Sequence, residues 1–357
     1  MDATRVSLLL PNYNNERVLG TVLDRLAAHT THPDTELVIV DDGSTDGSRH
    51  ILAQWRDSGA FGGEVVLIEQ ENAGAIVALN TALEAATGAI CVQIDSDASV
   101  ETPGWIERML ELMLLDERVG VVTAKVVMDS GSLHTCGVDV VGPEGVHDRP
   151  SRVLEPVGRR RWHHRVERPR EGTAGDAEEL TAEVDAACGC CMMYRREDAL
   201  AVGGYDTGYA PVWFDDVDLS LSIRRLGRKN FYLPDVRVVH YLESRPAPVA
   251  GRDRQRGQAA GELARRAARR LPARVRDRVE AGLGVDLGGH MTRPQLARLR
   301  HHYRYWREKW GFDLRNPDMA EVERRYGGTE ICWATDPERR AAGEEIVRNL
   351  EQARAST

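Results

Sequence analysis

The sequence predicts an α/β protein with a Rossmann-like, mostly parallel central sheet, helices on both faces and a helical C-terminal extension. Three observations predict it. Apolar runs of strand length alternate with stretches of helical spacing over residues 5–115. Two of those runs end in acid: Val38-Ile39-Val40 leads into Asp41-Asp42-Gly43-Ser44, and Ile90-Cys91-Val92-Gln93-Ile94 leads into Asp95-Ser96-Asp97. From about residue 246 the pattern is helical throughout. Acids at strand tips mark the sheet edge where open α/β folds bind ligands, and glycines and hydroxyls beside them suit a phosphate-bearing ligand held through a metal.

Taken in order, residues 5–10 form the first strand, and Pro11-Asn12-Tyr13-Asn14-Asn15 is a loop in which Asn14 or Asn15 can cap a helix. Val18, Leu19, Val22, Leu23 and Leu26 then follow helical spacing. Residues 36–40 are the second strand, and Asp46 caps a helix running to about Trp55. Residues 64–68 form the third strand, 75–86 a helix of small residues, and 89–94 the fourth strand. Thr102-Pro103 reads as a cap with proline at the first helical position, opening a helix to Leu115. Beyond the apolar run 119–128, residues 129–182 are rich in Gly, Pro, Arg and His and read as irregular. Residues 182–194 look like one long buried strand, 217–226 a helix, and 231–240 one or two short strands. Residues 259–270, 273–282, 293–310 and 337–354 are candidate helices.

Composition bounds the function. The 357 residues suffice for one large or two ordinary domains. No segment is long and apolar enough to span a bilayer. The run from Val6 to Leu10 is too short for a signal sequence and lacks a small-residue cleavage site, so a cytoplasmic protein is expected. The net charge of −9 disfavours nucleic-acid binding. The six cysteines, with Cys188-Gly189-Cys190-Cys191 among them, lack the spacing of a zinc ribbon and read as small buried residues in a reducing compartment.

Three acidic groups carry the chemistry. Asp95-x-Asp97 sets two carboxylates at a strand end, where hard cations such as Mg²⁺ or Mn²⁺ take one or two carboxylates and complete their shell with water and phosphate; such a pair also caps turns. Asp42 can accept N3–H of a uracil or thymine ring and repel cytosine, or close an Asx turn. Asp215, Asp216 and Asp218 crowd a helix start; one acid suffices for a cap, and crowded carboxylates have raised pKa values that suit a general base. His240 ends a strand, either as a satisfied structural residue or as a metal ligand.

In order along the chain, Pro11-x-Tyr13-Asn14, Val40-Asp41-Asp42-Gly43-Ser44-x-Asp46, Asn72-x-Gly74 with Asn80, Asp95-x-Asp97, Gly203-Gly204-Tyr205-Asp206, Asp215-Asp216-x-Asp218-Leu219 and His240 resemble the family 2 inverting glycosyltransferases of GT-A fold. The later half resembles bacterial rhamnosyltransferase-type members that build cell-surface glycans. The resemblance covers roughly residues 5–243. It implies a catalytic domain over 1–245, with a nucleotide-sugar-binding half (1–98) and an acceptor-binding half (99–245), followed by a helical region (246–357). It implies a nucleoside pocket lined by Pro11, Tyr13 and Glu16, with Asn72 beside it, Asp42 reading the base and Asp95 near the ribose. Asp97 and His240 would hold Mn²⁺ or Mg²⁺, Asp216 would be the general base supported by Asp215, and Gly204, Tyr205 and Trp213 would form the acceptor loop. Two departures stand out: Asp215 where many members have Glu, and Ala78 near where many carry a basic residue. The Q-x-x-R-W signature of processive members is absent, which implies transfer of one sugar at a time. The implied partners are a nucleotide-sugar donor, UDP- or dTDP-linked, and a glycan, lipid-linked or small-molecule acceptor.

The C-terminal region lies outside these motifs. Arg265, Arg266, Arg269 and Arg270 alternate with Leu263, Ala267 and Leu271, a pattern that fits either a peripheral contact with anionic lipid on the inner membrane face or a salt-bridged helix packed on the catalytic domain. The aromatic run His301–Trp310 reads as core or interface and also suits a homo-oligomer contact. Two enzyme rivals are disfavoured. A nucleotidyltransferase would carry a glycine-rich basic loop after the first strand, and a nicotinamide dehydrogenase a G-x-G-x-x-G there. A nucleotide-sugar-binding protein with a degenerate site would be expected to lack Asp97 or Asp216.

Overall fold

The computed structural model describes residues 4–131, 133–139, 152–157, 161–166, 179–241, 293–311 and 337–356. In chain order the elements are β1 (Val6–Asn12), α1 (Leu19–His29), β2 (Thr35–Asp42), α2 (Ser48–Asp57), β3 (Glu64–Gln70), α3 (Ala75–Ala85), β4 (Ile90–Ile94), β5 (Ala98–Val100) and α4 (Trp105–Leu115). There follow β6 (Val119–Met128), β7 (Leu133–Thr135), β8 (Val138–Asp139), β9 (Arg152–Val157), β10 (Arg161–Val166), β11 (Ala182–Val184), β12 (Cys191–Arg195), α5 (Arg196–Ala201), α6 (Asp215–Arg224) and β13 (Lys229–His240). Helices α7 (Arg293–Trp310) and α8 (Pro337–Ala355) complete the described chain.

A ten-stranded sheet runs in the order β11-β13-β6-β12-β4-β1-β2-β3, with β5 on β13 and β7 on β6. The parallel pattern read from the first half holds across β3-β2-β1-β4. β1 and β2 are buried along their whole length, as strands covered on both faces must be. The sheet then turns mixed, because β12 lies antiparallel between β4 and β6. The segment 182–194 is therefore two strands in different places: β11 pairs with β13 and β12 with β4 and β6. Its apolar run continues because the turn between them is itself buried, including Ala186, Ala187, Cys188 and Cys190. β13 is one long strand whose register shifts between Leu233 and Arg237.

Three cap expectations are corrected. α1 begins at Leu19 behind Val18, with no side-chain cap, since Asn14 and Asn15 bond to other loops instead. α4 begins at Trp105 behind Gly104, which is left-handed at φ 65°. Thr102 Oγ1 accepts the Arg237 N–H at 2.9 Å, which ties the turn to β13 and delays the helix past Pro103. The N-cap of α2 is Gly47 rather than Asp46, which stands one residue earlier and accepts the Ser48 N–H at 3.0 Å.

The described chain forms two compact units, one holding the large sheet with α1–α6 and α8, the other including α7. In the first unit α8 belongs to the sheet's core. Ile346 and Leu350 are buried in the main apolar cluster, and Arg354 bonds to Glu111 of α4 and to Asp235. In the second, α7 buries Leu299, Tyr303, Trp306 and Trp310 at helical spacing, with the two tryptophans stacked 5.6 Å apart. The stretch 129–182, read as irregular, instead carries the short strands β7, β8, β9 and β10 among its described residues; the candidate helices at 259–270 and 273–282, with their arginine pattern, lie outside the described residues. Among the described residues no helix is long and apolar enough to cross a membrane.

Candidate active site

The loops after β1 and β2 are laced together. Asn14, left-handed at φ 50°, accepts the Thr45 N–H on Oδ1 at 2.7 Å, while its own N–H donates to Ser44 Oγ. Glu16 Oε2 accepts the Gly47 N–H at 2.6 Å, and the Glu16 N–H donates to Asp46. Asn15 Nδ2 reaches across to Ser96, donating to its carbonyl at 2.6 Å and its hydroxyl at 3.1 Å. Three strand tips thus share one hydrogen-bonded rim. Pro11 is buried at the end of β1, and Tyr13 stands half exposed on the rim.

The two acids of β2 have separate tasks. Asp41 is buried and accepts from Asn12 Nδ2, Ser44 N–H and Arg49 Nε, which fixes the turn after the strand. Asp42 is also buried, and four donors converge on its carboxylate. Gln70 Nε2 at 2.7 Å and the Ala73 N–H at 2.9 Å meet Oδ1; Asn72 Nδ2 at 2.9 Å and the Gly74 N–H at 2.7 Å meet Oδ2. Asp42 therefore holds the turn from β3 into α3, a task the sequence reading did not assign, and Asn72 is one of its clamps.

Asp95 and Asp97 follow β4, and His240 ends β13. Their meeting is set by β5, which pairs His240 with Ala98, and by the Tyr241 N–H, which donates to the Asp97 carbonyl at 2.9 Å. His240 Nε2 lies 3.2 Å from Asp97 Oδ1. The ligand atoms of Asp95, Asp97 and His240 all fall within 4.8 Å of one another. Two carboxylates and an imidazole make a donor set that fits Mn²⁺, and the carboxylates fit Mg²⁺.

The acids of α6 enter through a strained approach. Trp213 and Phe214 are left-handed at φ 82° and 71°, conformations that bulky residues adopt only under constraint. The constraint is local: Tyr209 stacks on Phe214 at 5.9 Å, and Pro211 packs against Gly74, where any Cβ would lie 2.3 Å from Pro211 Cβ. Asp215 is partly buried, and its pKa is raised well above the usual 3.8 by loss of water and then by the carboxylates of Asp216, Asp95 and Asp218. Asp216 Oδ2 accepts the Gly189 N–H at 3.0 Å, and Oδ1 accepts the Val217 N–H at 2.8 Å.

Of the expected acceptor loop, Trp213 stays partly exposed, whereas Tyr205 is buried. The Tyr205 hydroxyl bonds to Gln93 Oε1 and to Tyr194, each at 2.9 Å, and burial raises its pKa well above 10.0. Gly204 and Tyr205 are pinned to α3 through Asn80, which bonds both the N–H and the carbonyl of Tyr205. Tyr205 thereby supports Gln93 of β4.

Two residues escaped the sequence reading. Gly189 donates to Asp216, and a Cβ there would lie 2.7 Å from Gln93 Nε2, so a larger residue would displace the Gln93 amide. Cys190 meets His240 Nδ1 with its Sγ at 3.4 Å. Only a glycine amid cysteines signalled either one. The remaining cysteines of the sheet behave as expected: burial pushes the Cys91 thiol up to about 12, well away from a reactive thiolate.

The mixed α/β sheet thus gathers three acidic groups, after β2, after β4 and at the start of α6. The family described as "Glycosyl transferase family 2" matches residues 7–202, and the chain belongs to that family. Among relatives, an uncharacterized glycosyltransferase of Nostoc sp. is 32% identical over 151 residues, covering 42% of this chain and 46% of that protein. The putative teichuronic acid biosynthesis glycosyltransferase TuaG of Bacillus subtilis is 40% identical over 113 residues, covering 30% and 42% respectively. The chain spans less than half the length of the curated relatives it matches. The crystal structure of GalNAc-T7 with UDP, GalNAc and Mn²⁺ shares the fold at a TM-score of 0.50 and 15% identity, over 91% of this chain and 58% of that one.

Proposed function

We propose that the protein is a metal-dependent, inverting, non-processive glycosyltransferase. It moves one hexosyl or deoxyhexosyl unit from a nucleotide-diphosphate sugar, UDP- or dTDP-linked, to an acceptor hydroxyl during cell-surface glycan assembly. One observation carries the reading: the turn Gly189–Cys190 bonds to both acidic centres. Its Gly189 N–H donates to Asp216, and its Cys190 carbonyl accepts the Asp95 N–H at 3.4 Å. The cation-type acids after β4 and the acid pair of α6 are thereby held beside each other, as a reaction joining a diphosphate leaving group to an attacking hydroxyl needs.

In this reading Pro11, Tyr13, Glu16, Asn72 and Asp95 surround the nucleoside and ribose, with Asp42 beneath the base. Asp97 and His240 would hold Mn²⁺ or Mg²⁺, which when bound supplies positive charge to the departing diphosphate. Asp216 accepts the proton of the acceptor hydroxyl as that oxygen attacks the anomeric carbon from the face opposite the leaving group. The Gly189 and Val217 N–H groups fix its carboxylate for that transfer. One displacement inverts the configuration without a covalent enzyme intermediate. Asp215, pushed toward its protonated form, spares Asp216 a second full charge alongside.

The fold-related GalNAc-T7 is seen with UDP, GalNAc and Mn²⁺, which supports this choice of cation and donor class. The test has two steps. A panel of nucleotide sugars with Mn²⁺ identifies the donor by released nucleoside diphosphate. Asp216→Asn should then abolish transfer while calorimetric donor binding survives; turnover near the wild-type rate would overturn the base assignment.

A further inference from the structure

His240 offers two faces, and only one of them belongs to the carboxylate site. Nε2 lies 3.2 Å from Asp97 Oδ1, and Nδ1 lies 3.4 Å from Cys190 Sγ. On the Cys190 side stands a third ligating side chain, His134, whose ring centre is 5.3 Å from that of His240 at an interplanar angle of 68°. The ligand atoms of His134, Cys190 and His240 all lie within 4.8 Å of one another.

Three separate elements bring them together. His134 rides on β7, which pairs with β6. Cys190 sits in the turn before β12, tied to Asp95 through its carbonyl. His240 ends β13, and its carbonyl accepts the Asp129 N–H at 3.2 Å. Cys190 and His240 are both more than nine-tenths buried.

We infer that His134, Cys190 and His240 form a second cation site, selective for Zn²⁺ over the hard ions of the carboxylate side. Two imidazoles and a thiolate are a donor set for zinc, while magnesium and manganese prefer oxygen. The spacing agrees as well. With Zn–S near 2.3 Å and Zn–N near 2.0 Å, a sulfur and a nitrogen on a tetrahedral zinc stand about 3.5 Å apart, and the observed distance is 3.4 Å. Binding releases the thiol proton to solvent as the Zn–S bond forms. A neutral imidazole has one lone pair and one N–H. When Nδ1 ligates zinc, Nε2 carries the hydrogen and donates to Asp97, so His240 is withdrawn from the carboxylate site. The two sites therefore compete for one residue. That competition rests on the proposed function; the zinc site itself does not.

The test titrates the full reduced chain with Co²⁺ as a spectroscopic substitute for zinc. The expected result is a near-ultraviolet thiolate-to-cobalt band that saturates at one ion per chain and is displaced by Zn²⁺. Cys190→Ser should lose the band, and His134→Gln should weaken zinc binding roughly tenfold or more, while both keep Mn²⁺ binding by calorimetry. Cys188→Ser should retain the band, although Cys188 Sγ lies 3.5 Å from Cys190 Sγ. A band that survives Cys190→Ser, or no band in the wild type, overturns the site. Asp97→Asn separates the two readings: it should abolish Mn²⁺ binding and leave the cobalt band. If wild-type Mn²⁺ binding is absent while the band is present, the proposed catalytic cation is wrong and the zinc site stands.

Discussion

Asp42→Asn separates a residue that reads a base from one that holds the pocket's shape. The substitution keeps the volume, removes the charge and replaces one acceptor oxygen with an NH₂. In the structure each carboxylate oxygen takes two donors, Gln70 and Ala73 on one, Asn72 and Gly74 on the other. Whichever way the new amide points, its NH₂ faces two donors. Gly74 is buried and Ala73 is exposed, so the amide oxygen will stay with Gly74 and water will take up part of the loss at Ala73. A hydrogen bond to a charged group is worth about 1.5–3 kcal/mol. Two such losses, partly offset by water, give about 2–4 kcal/mol, a large share of a stability on the order of 5–15 kcal/mol.

For a protein of this size that cost corresponds to a fall in Tm of roughly 3–5 °C. The assay pairs thermal unfolding near neutral pH with calorimetric titration by UDP and by CDP. Loss of stability with weakened binding of both nucleotides is the expected result. A Tm within about 2 °C of wild type, together with a switch of preference from UDP to CDP, would refute the clamp: an asparagine that only reads the base would favour the cytosine ring.

Asp97→Ala should weaken Mn²⁺-dependent donor binding while leaving metal-free nucleotide binding unchanged, measured by calorimetry with and without the ion. Asp215→Asn should stabilise the fold near neutral pH. The folded-state pKa of Asp215 lies above its unfolded value of 3.8, so the folded state holds the proton more tightly and wild-type stability declines as pH rises from that value through the folded pKa. Urea unfolding across pH should show the variant's advantage growing over that window and vanishing in acid; a less stable variant at neutral pH would contradict the assigned shift. Gly343→Ala should loosen α8, because the added Cβ would lie 1.9 Å from Glu183 Oε2, whose partner oxygen is bound by Arg224 and Lys229. Overpacking of this kind costs about 1–3 kcal/mol, and faster proteolysis of the C-terminal helix would report it.

The legible parts of the sequence were those with a local cause. Strands β1–β4 and helices α1–α3 follow from apolar periodicity, because each buries its stripe against its own neighbours in the chain. The acids at the tips of β2 and β4 could be placed for the same reason. Misreadings came where distant partners decide. Residues 182–194 read as one strand since a buried turn has the same composition as a strand, and only pairing with β13 and β4 breaks it. Thr102 looks like a cap until β13 claims its hydroxyl. Asp42 shows one feature in sequence, its strand end, but its four donors arrive from residues 70–74. Gly189 and Cys190 show only a glycine amid cysteines; their importance comes from α6 and β13 meeting beside them.

The charge balance of the site gives an independent reason to expect a cation. Asp215 is influenced by Asp216, Asp95 and Asp218, and Asp97 stands beside His240, so carboxylates from two segments, the turn after β4 and the start of α6, crowd one sheet edge. A nucleotide diphosphate adds about two more negative charges, and at an effective dielectric near 20 each like-charge pair at about 4 Å costs roughly 4 kcal/mol. The raised pKa of Asp215 eases one such pair, and the amides that meet Asp216 relieve part of another. Within this unit the lysines are engaged elsewhere: Lys125 pairs with Glu179 and Lys229 with Glu183. In the proposed reading a divalent ion between Asp97 and the diphosphate turns the largest of these repulsions into attractions. The acids that make the site hostile to a bare nucleotide then become the means of selecting a metal-bound one.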